Sequence, residues 1–273
     1  IVALIGPNGA GKTTAFNCIT GVYEPTNGLV KFLDEPMVRN HPTGKMKKLY
    51  KGENPLLYTA EYHPEDETKE QMLARDPLAG TGKIVSPTPD RITKLGIART
   101  FQNIRLFGEL SVEENVTVAM DTQMHYTMPE GIFRLPRFWK EERIVHERAM
   151  ELLSIFHMED LAKAKASSLP YGAQRRLEIL RALATNPSLL LLDEPAAGMN
   201  PSETAELMEN IRSIRDTFKI AVLLIEHDMN LVMNICEGIA VLNFGHVIAK
   251  GTPEDIQNNP EVIEAYLGKQ KEA

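Results

Sequence analysis

One glycine-rich run restricts the folds open to this chain: Gly6-Pro7-Asn8-Gly9-Ala10-Gly11-Lys12-Thr13-Thr14. It fits the pattern G-x-x-x-x-G-K-[ST], with a strand-like apolar segment before it and a helix-like segment after it that stops near Gly21. Glycines let the backbone curl until consecutive N–H groups point at phosphate oxygens, and the helix start adds its dipole. Lys12 can reach the β- and γ-phosphates, and Thr13 offers a hydroxyl to magnesium. A glycine-rich turn without a ligand would not need that strand and helix, so the run predicts nucleotide binding.

Two adjacent acids follow a second strand-like segment. Residues 188–192 are Ser188 and four leucines, apolar on both faces like a central parallel strand, and Asp193 and Glu194 come next. Ligands bind outside the carboxyl ends of strands in open α/β sheets, so these acids are expected to face the nucleotide. Asp193 would anchor magnesium through a water, and Glu194 would be the general base for the attacking water. The alternative is a solvated acidic turn, which a phosphate loop in the same chain disfavours.

A third apolar run, residues 220–225, leads into Glu226, His227 and Asp228. A lone histidine is more often an ordinary surface or core residue. At this edge of the sheet, however, the His227 imidazole could bind a γ-phosphate oxygen and hold the water and the base in register.

Composition narrows the function classes. The 273 residues are 43% hydrophobic and 25% charged, as in ordinary globular proteins, and the net charge of -7 argues against a main role in wrapping nucleic acid. Cys18 and Cys236 lie far apart without a CxxC pair, so neither a disulfide framework nor a zinc site is expected, and a reducing cytoplasm is the natural compartment. The apolar runs are too short to span a bilayer. If the protein acts at a membrane, it would therefore have to bind another subunit there.

Four further segments complete a family pattern. They are Arg99-Thr100-Phe101-Gln102, Leu169-Pro170-Tyr171-Gly172-Ala173-Gln174-Arg175-Arg176, Ala196-Ala197-Gly198-Met199-Asn200-Pro201, and His227. Together with the phosphate loop, the chain resembles the nucleotide-binding domain of an ABC transporter. In that resemblance the segments correspond to the Q-loop, the LSGGQ signature, the D-loop and the switch histidine. It implies that Gln102 touches the metal and the water, and that Gly172 acts on a nucleotide held by a second subunit.

The resemblance implies an α/β fold, with a P-loop NTPase (RecA-like) core, an inserted helical subdomain and a small β subdomain that is expected to be N-terminally truncated. Residues 1–273 would form a single nucleotide-binding domain. Its predicted parts are a core at about 1–102 and 187–252, a variable insertion at about 40–90, a helical subdomain at about 103–186, and C-terminal helices at 253–273.

The implied site comprises three groups of residues. The catalytic group is Glu194, His227, Gln102 and Lys12; the magnesium group is Thr13, Gln102 and Asp193. The groups that contact ATP are Gly6, Pro7, Asn8, Gly9, Ala10, Gly11, Lys12, Thr13, Thr14 and, toward a partner's nucleotide, Gly172.

Several strings point to one subfamily. RTFQNIRLF, YGAQRRLEI, DEPAAGMNP, IEHDMNLVM and the tail GTPEDIQNNPEVIEAYLG resemble ATP-binding subunits of branched-chain amino-acid importers, in particular the first of the two in that system. The resemblance implies ATP and Mg²⁺ as cofactors and peripheral attachment to the cytoplasmic face of the membrane. Implied partners are a second ATP-binding subunit, identical or different, integral permease subunits and, indirectly, a periplasmic or extracellular amino-acid binding protein. No nucleic acid is expected.

Two alternatives stay open at this stage. The ATPase of a lipid or lipopolysaccharide exporter shares much of the tail. A soluble ABC ATPase that acts on DNA or the ribosome would carry long coiled-coil arms or two tandem cassettes, and this chain shows one cassette without sustained heptads.

Two positions depart from the family pattern. Pro170 stands at the signature serine and supplies neither a hydroxyl nor an N–H, although the Gly172 amide remains at a helix start. Asn200 stands where many relatives have the D-loop aspartate. These changes suggest that one composite ATP site is weaker than the other.

Other stretches carry structural expectations. Residues 141–161 show an apolar stripe at helical spacing (Ile144, Val145, Met150, Leu152, Leu153, Phe156), which predicts a helix that packs inside its own domain. Residues 238–251 predict two short strands, and Pro253 and Pro260 are each expected to begin a helix. Residues 40–90 read as a solvated insertion without a functional motif. No aromatic residue can be assigned to stack on adenine, so phosphate binding is expected to exceed base recognition.

Overall fold

The computed structural model describes residues 1–26, 28–40, 68, 70–71, 74, 84–86 and 88–267. The chain divides into a larger unit, Ile1–Thr13 with Leu95–Ala273, and a smaller unit, Thr14–Lys94. Most of the predicted insertion at 40–90, and residues 268–273, lie outside the described residues.

A six-stranded sheet forms the centre of the larger unit. Its strands are β1 (Val2–Ile5), β4 (Ile97–Arg99), β5 (Leu189–Asp193), β6 (Ala221–Ile225), β7 (Gly238–Asn243) and β8 (His246–Gly251), in the order β4-β5-β6-β1-β7-β8. All neighbours are parallel except β7 and β8, which form an antiparallel pair. The leucines at 190–192 are at most 1% exposed, which explains the uninterrupted apolar run of a strand covered on both faces. The expected α/β fold with a parallel sheet is confirmed.

The strand register aligns the carboxyl ends of β1, β5 and β6. Both Leu4 of β1 and Asp193 of β5 are paired with Ile225 of β6. Because these strands are parallel, the phosphate loop, the two acids and His227 all leave the sheet at its carboxyl edge. Two interstrand spacings of about 4.8 Å separate β1 from β5, so the ends of these two strands lie about 10 Å apart.

Most helices of the larger unit lie between β4 and β5 or after β5. They are α3 (Val112–Val118), α4 (Met128–Ile132), α5 (Pro136–Ser154), α6 (Tyr171–Leu183), α7 (Pro201–Phe218), α8 (Met229–Ile235), α9 (Pro253–Gln257) and α10 (Pro260–Leu267). Their starts follow local chemistry: Ser111 and Glu114 form a capping box on α3, and Pro253 and Pro260 begin α9 and α10 as predicted.

The helix predicted at 141–161 is only partly correct. Helix α5 begins earlier and ends at Ser154, and a short 3-10 turn follows at Glu159–Leu161. The prediction failed because His157 has a left-handed φ of 53°, which no α-helix continues through. Leu152, Leu153 and Phe156 are buried as expected, but Ile144 is 53% exposed.

The smaller unit contains β2 (Gly28–Phe32), β3 (Glu35–Asn40) and α2 (Pro89–Lys94). Strands β2 and β3 pair antiparallel across a tight turn in which Leu33 and Asp34 have φ of 48° and 65°. Positive φ at both central residues matches the right-handed strand twist of a two-residue hairpin. Helix α1 (Lys12–Ile19) begins within the phosphate loop.

Among the helices that the structure describes, none is both long enough and apolar enough to cross a membrane.

The two thiols should differ in reactivity. Burial raises the pKa of Cys236, directly after α8, to about 12, and it also raises the pKa of the half-buried Cys18. At pH 8 a thiol with a pKa of about 12 is about 10³-fold less ionised than one with a pKa of 9. We therefore expect iodoacetamide to leave Cys236 unmodified in the native Cys18→Ser variant and to label it rapidly in denaturant. Rapid native labelling would contradict the burial. The Cys236→Ser variant serves as the comparison for Cys18.

Candidate functional site

The phosphate loop is shaped by glycines whose backbone conformations favour glycine. Gly6, Gly9 and Gly11 have φ of 151°, 80° and 100°, which L side chains rarely adopt. A Cβ on Gly6 would stand 2.1 Å from the carbonyl oxygen of Leu242 at the end of β7. The loop is thus held in a curl against the β7–β8 hairpin, with α1 beginning at Lys12.

Lys12 is folded back into this loop. Its Nζ donates to the carbonyl oxygens of Gly6 (2.7 Å) and Pro7 (3.1 Å), and the residue is only 9% exposed. Burial lowers the pKa of Lys12 below its ordinary value, and the negative charges of Glu194 and Asp193 partly oppose that shift. The ammonium group therefore lies on the loop side, bound to loop carbonyl oxygens, and within electrostatic range of both acids. Thr13 and Thr14, the next two residues, are exposed.

Asp193 is the buried acid of the pair. It is 1% exposed, and its Oδ2 accepts a hydrogen bond from Arg99 Nη2 at 2.8 Å. Its Oδ1 is buried and has no hydrogen-bond partner in the described part of the chain. A buried carboxylate oxygen without a donor is costly, and Mg²⁺ with its bound waters would supply a partner for it. The donor set fits the predicted magnesium position.

Glu194 has a strained backbone. Its φ is 49°, a left-handed conformation that costs a non-glycine residue about 1 kcal/mol or more and occurs preferentially at functional sites. Its N–H donates to the carbonyl oxygen of Ile225 (2.9 Å). Its side-chain Oε2 accepts from Gln102 Nε2 at 3.1 Å. The structure thus brings together Gln102 and Glu194, two residues that lie 92 positions apart.

His227 lies at the same edge of the sheet, after β6. Its side chain is 63% exposed, and its Nδ1 is 3.7 Å from Oε2 of Glu226. Glu226 is almost fully buried and accepts hydrogen bonds from the backbone N–H groups of Ala196 (2.9 Å) and His227 (3.1 Å). Burial raises the pKa of Glu226 despite these donors. Glu226 therefore links the loop after Glu194 to the residue that bears the imidazole.

The signature segment begins α6. Pro170 is the N-cap and forms no side-chain cap hydrogen bond, which agrees with the loss of the usual serine hydroxyl. Gly172 lies beside α7: a Cβ there would stand 3.3 Å from Oε1 of Glu203. The Tyr171 ring lies against Gly198 of the predicted D-loop, where a Cβ would stand 3.2 Å from the ring. Gly172 of the signature segment therefore packs against Glu203 of α7.

Asn200 has a structural task of its own. Its side-chain oxygen accepts from the Glu203 N–H (3.0 Å), and the Glu203 carboxylate accepts from the Asn200 N–H (2.9 Å). This capping box starts α7, and an aspartate could form it equally well. The capping geometry alone therefore does not explain why position 200 has asparagine where many relatives have aspartate.

Three residues that the sequence reading did not select also belong to this region: Arg99, Arg175 and Glu226. All three lie within strings that define the motifs, but nothing in the spacing of charged residues distinguishes an inward arginine from a solvated one. Arg99 contacts Asp193, and Arg175 contacts the carbonyl oxygens of Gln102 and Glu194.

Two family models match the sequence. The model described as "ABC transporter" matches residues 1–71 and 57–197. The model described as "Branched-chain amino acid ATP-binding cassette transporter" matches residues 246–272, the segment that carries β8 and the C-terminal helices.

Curated relatives match over nearly the whole chain. The chain is 40% identical to the high-affinity branched-chain amino acid transport ATP-binding protein BraF of Pseudomonas aeruginosa, over 98% of this chain and 87% of the relative. It is 41% identical to the corresponding protein LivG of Escherichia coli K12, with the same coverage. The lipopolysaccharide export system ATP-binding protein LptB of Acidithiobacillus ferridurans is 31% identical, over 99% of this chain and 86% of the relative.

Solved structures agree with these matches. A nucleotide-free ATP-binding cassette from an ABC transporter is similar with a TM-score of 0.68 and 27% identity, over 98% of this chain and 88% of that one. The ADP conformation of MJ1267, an ATP-binding cassette of an ABC transporter, gives a TM-score of 0.65 at 27% identity with the same coverage. The relatives and the solved structures cover 98% or more of the chain in these matches, and the ABC transporter family model covers the site residues from Gly6 to Glu194. The chain belongs to the ATP-hydrolysing family of ABC transporter ATP-binding proteins.

Proposed function

We propose that this chain powers the import of branched-chain or other hydrophobic amino acids across the cytoplasmic membrane by binding and hydrolysing ATP. The observation that carries the substrate class is the C-terminal segment, because residues 246–272 match the branched-chain amino acid family model. The 40% and 41% identities to BraF and LivG, against 31% to LptB, favour the same class.

The proposed cycle begins with ATP on the loop from Gly6 to Thr14. Backbone N–H groups of the loop and the α1 dipole would hold the phosphate oxygens, and Lys12 would move from the carbonyl groups it now binds to the β- and γ-phosphates. Thr13, Gln102 and Asp193 are the groups that would hold Mg²⁺, which when bound neutralises phosphate charge.

Hydrolysis is assigned to residues at the two neighbouring strand ends. Glu194 would orient and polarise a water for in-line attack on the γ-phosphate. Gln102, which donates to Glu194 at 3.1 Å, would keep that carboxylate directed at the water. His227 would contact a γ-phosphate oxygen after a rotation away from Glu226. Electrostatic positioning of this kind is the main contribution a protein makes to phosphoryl transfer.

The transport role requires partners. We propose a second ATP-binding subunit that closes face to face on this one, with Gly172 and the start of α6 directed at the partner's nucleotide. Permease subunits would carry the amino acid, and the chain would bind them peripherally at the cytoplasmic face of the membrane. ATP then acts as a ligand that shifts an open–closed equilibrium, and hydrolysis reverses the shift.

The decisive experiment is co-purification with candidate permease subunits followed by reconstitution in lipid vesicles. ATP turnover is measured with amino-acid binding protein loaded with leucine, isoleucine or valine, and with an acidic amino acid as the matched control. We expect stimulation by the branched-chain ligands only. Stimulation by lipopolysaccharide would support the exporter class that LptB represents. Absence of any response to amino acids would contradict the proposal.

A further inference from the structure

Arg175 is the largest fully buried side chain among the residues that the structure describes, and it carries a charge. It lies in the first two turns of α6, within the signature segment, and its side chain is 0% exposed. A guanidinium group stays protonated at any working pH, so a buried one requires acceptors from the protein. The oxygens that accept its hydrogen bonds indicate the role of Arg175.

Those acceptors come from two other segments of the predicted site. Arg175 Nη1 donates to the Phe101 carbonyl oxygen (2.7 Å), and Nη2 donates to the carbonyl oxygens of Gln102 (2.9 Å) and Glu194 (3.3 Å). Glu178, one turn along α6, pairs with Nη1 (3.0 Å) and accepts from the Phe101 N–H (3.3 Å). One side chain therefore joins the signature helix to the Q-loop main chain and to the main chain of the proposed base.

Arg175 contacts main-chain oxygens next to a strained backbone conformation. Glu194 has its left-handed φ of 49°, and its peptide is held by three hydrogen bonds: its N–H to Ile225, and its carbonyl oxygen from Ala197 (3.2 Å) and Arg175. The direction of the Glu194 carboxylate follows from that backbone. The side-chain amide of Gln102 lies 3.1 Å from the Glu194 carboxylate. Arg175 also binds the main-chain carbonyl oxygen of Gln102.

The geometry points to Arg175 as a positioning residue for hydrolysis: we propose that it sets the distance between Gln102 and Glu194 and ties both to α6. A movement of the signature helix would then be transmitted directly to the water-activating pair. The proposal rests on the assignment of Glu194 as base under the proposed function. An arginine suits this role because its rigid planar fork directs two separate nitrogens at carbonyl oxygens of different segments, whereas a lysine ammonium donates from a single atom. The Nε of Arg175 has no acceptor among the residues described. Burying that N–H group without a hydrogen bond lowers the stability of the folded protein.

The test compares Arg175→Met and Arg175→Lys with a matched variant on the same helix, Arg181→Met. Arg181 is partly buried and lies over the Phe107 ring at 5.5 Å, without a contact to Gln102 or Glu194 among the described interactions. ATP turnover is measured on the purified full chain, and kcat is normalised to the number of ATP-binding sites. That normalisation removes any loss due to misfolded protein.

For Arg175→Met we expect kcat to fall about 10- to 100-fold with the KM for ATP within about threefold of wild type, because misplacement near 1 Å has that effect on rate. Arg175→Lys should recover part of kcat, and Arg181→Met should keep it. A purely structural role would lower the number of binding sites and leave the kcat per site unchanged. Equal kcat per site in Arg175→Met and wild type would overturn the inference.

A double-mutant cycle separates this inference from the proposed function. If Arg175 acts through Glu194, adding Arg175→Met to Glu194→Gln should produce little further loss of the residual turnover. Full additivity would overturn the positioning role. Should Glu194→Gln alone keep wild-type turnover, the assignment of the base fails. Should Glu194→Gln be inactive while Arg175→Met stays fully active, only the inference about Arg175 fails.

Discussion

Replacing Glu194 with glutamine should lower kcat for ATP hydrolysis by about 10²- to 10⁴-fold, the range typical of a lost general base. The substitution keeps the size of the side chain and the left-handed backbone at φ 49°. ATP binding depends on the loop after β1 and should persist, so the variant is expected to accumulate bound, uncleaved ATP. Phosphate release gives the rate, and separation of bound nucleotides identifies what remains in the site.

The same substitution at Glu209 supplies the control. Glu209 lies on the surface of α7 and pairs with Arg212 of the same helix, so Glu209→Gln should leave turnover unchanged. Rapid release of phosphate by Glu194→Gln would remove Glu194 from the role of base. Loss of both turnover and ATP binding would instead show that Glu194 contributes to the nucleotide pocket.

Replacing Lys12 with methionine should weaken ATP binding and also nearly abolish turnover. Methionine keeps the apolar stem in its buried position but removes the ammonium group. A hydrogen bond to a charged group contributes about 1.5–3 kcal/mol, which corresponds to about a 10- to 150-fold lower affinity. In the loose transition state of phosphoryl transfer, negative charge builds up on the leaving β-phosphate, which Lys12 would also contact, so kcat should fall by about another 10²- to 10³-fold. Equilibrium titration with a fluorescent ATP analogue measures the first effect, and phosphate release measures the second.

Lys94→Met is the matched control for this experiment. Lys94 ends α2, is exposed and pairs with Asp90, so its loss should change neither affinity nor rate. Wild-type affinity in Lys12→Met would show that the ammonium group does not reach the phosphates. A fall in affinity without any further loss of kcat would limit Lys12 to ground-state binding.

The sequence predicted those parts of the fold in which local pattern and motif agree. The loop before Lys12, the leucine strand ahead of Asp193, and the helix starts at Pro253 and Pro260 each depend on neighbours in the chain. Their positions follow from backbone sterics and burial. The alignment of the three strand ends could be anticipated from the general rule for parallel sheets, although the register itself required coordinates.

Other features could not be read from the sequence because they depend on distant partners. Whether Arg175 points inward is decided by carbonyl oxygens more than 70 residues earlier in the chain, at Phe101 and Gln102. The end of α5 was missed because His157 adopts a conformation that its side chain does not dictate. Glu226 looked like a polar strand end, and only its burial reveals that it holds backbone donors from the loop after Glu194.

The support behind the phosphate loop has a consequence for how the chain is made. Gly6 lies against the Leu242 carbonyl oxygen, and the Gly245 N–H donates to the Ala10 carbonyl oxygen at 2.9 Å. The stiffness of the first motif thus comes from a hairpin synthesised more than 230 residues later. Strand β1 likewise pairs with β6 and β7, which are both synthesised much later than β1. During translation the loop leaves the ribosome well before the hairpin that supports it, so a nascent chain would bind nucleotide firmly only after the β7–β8 hairpin has also emerged.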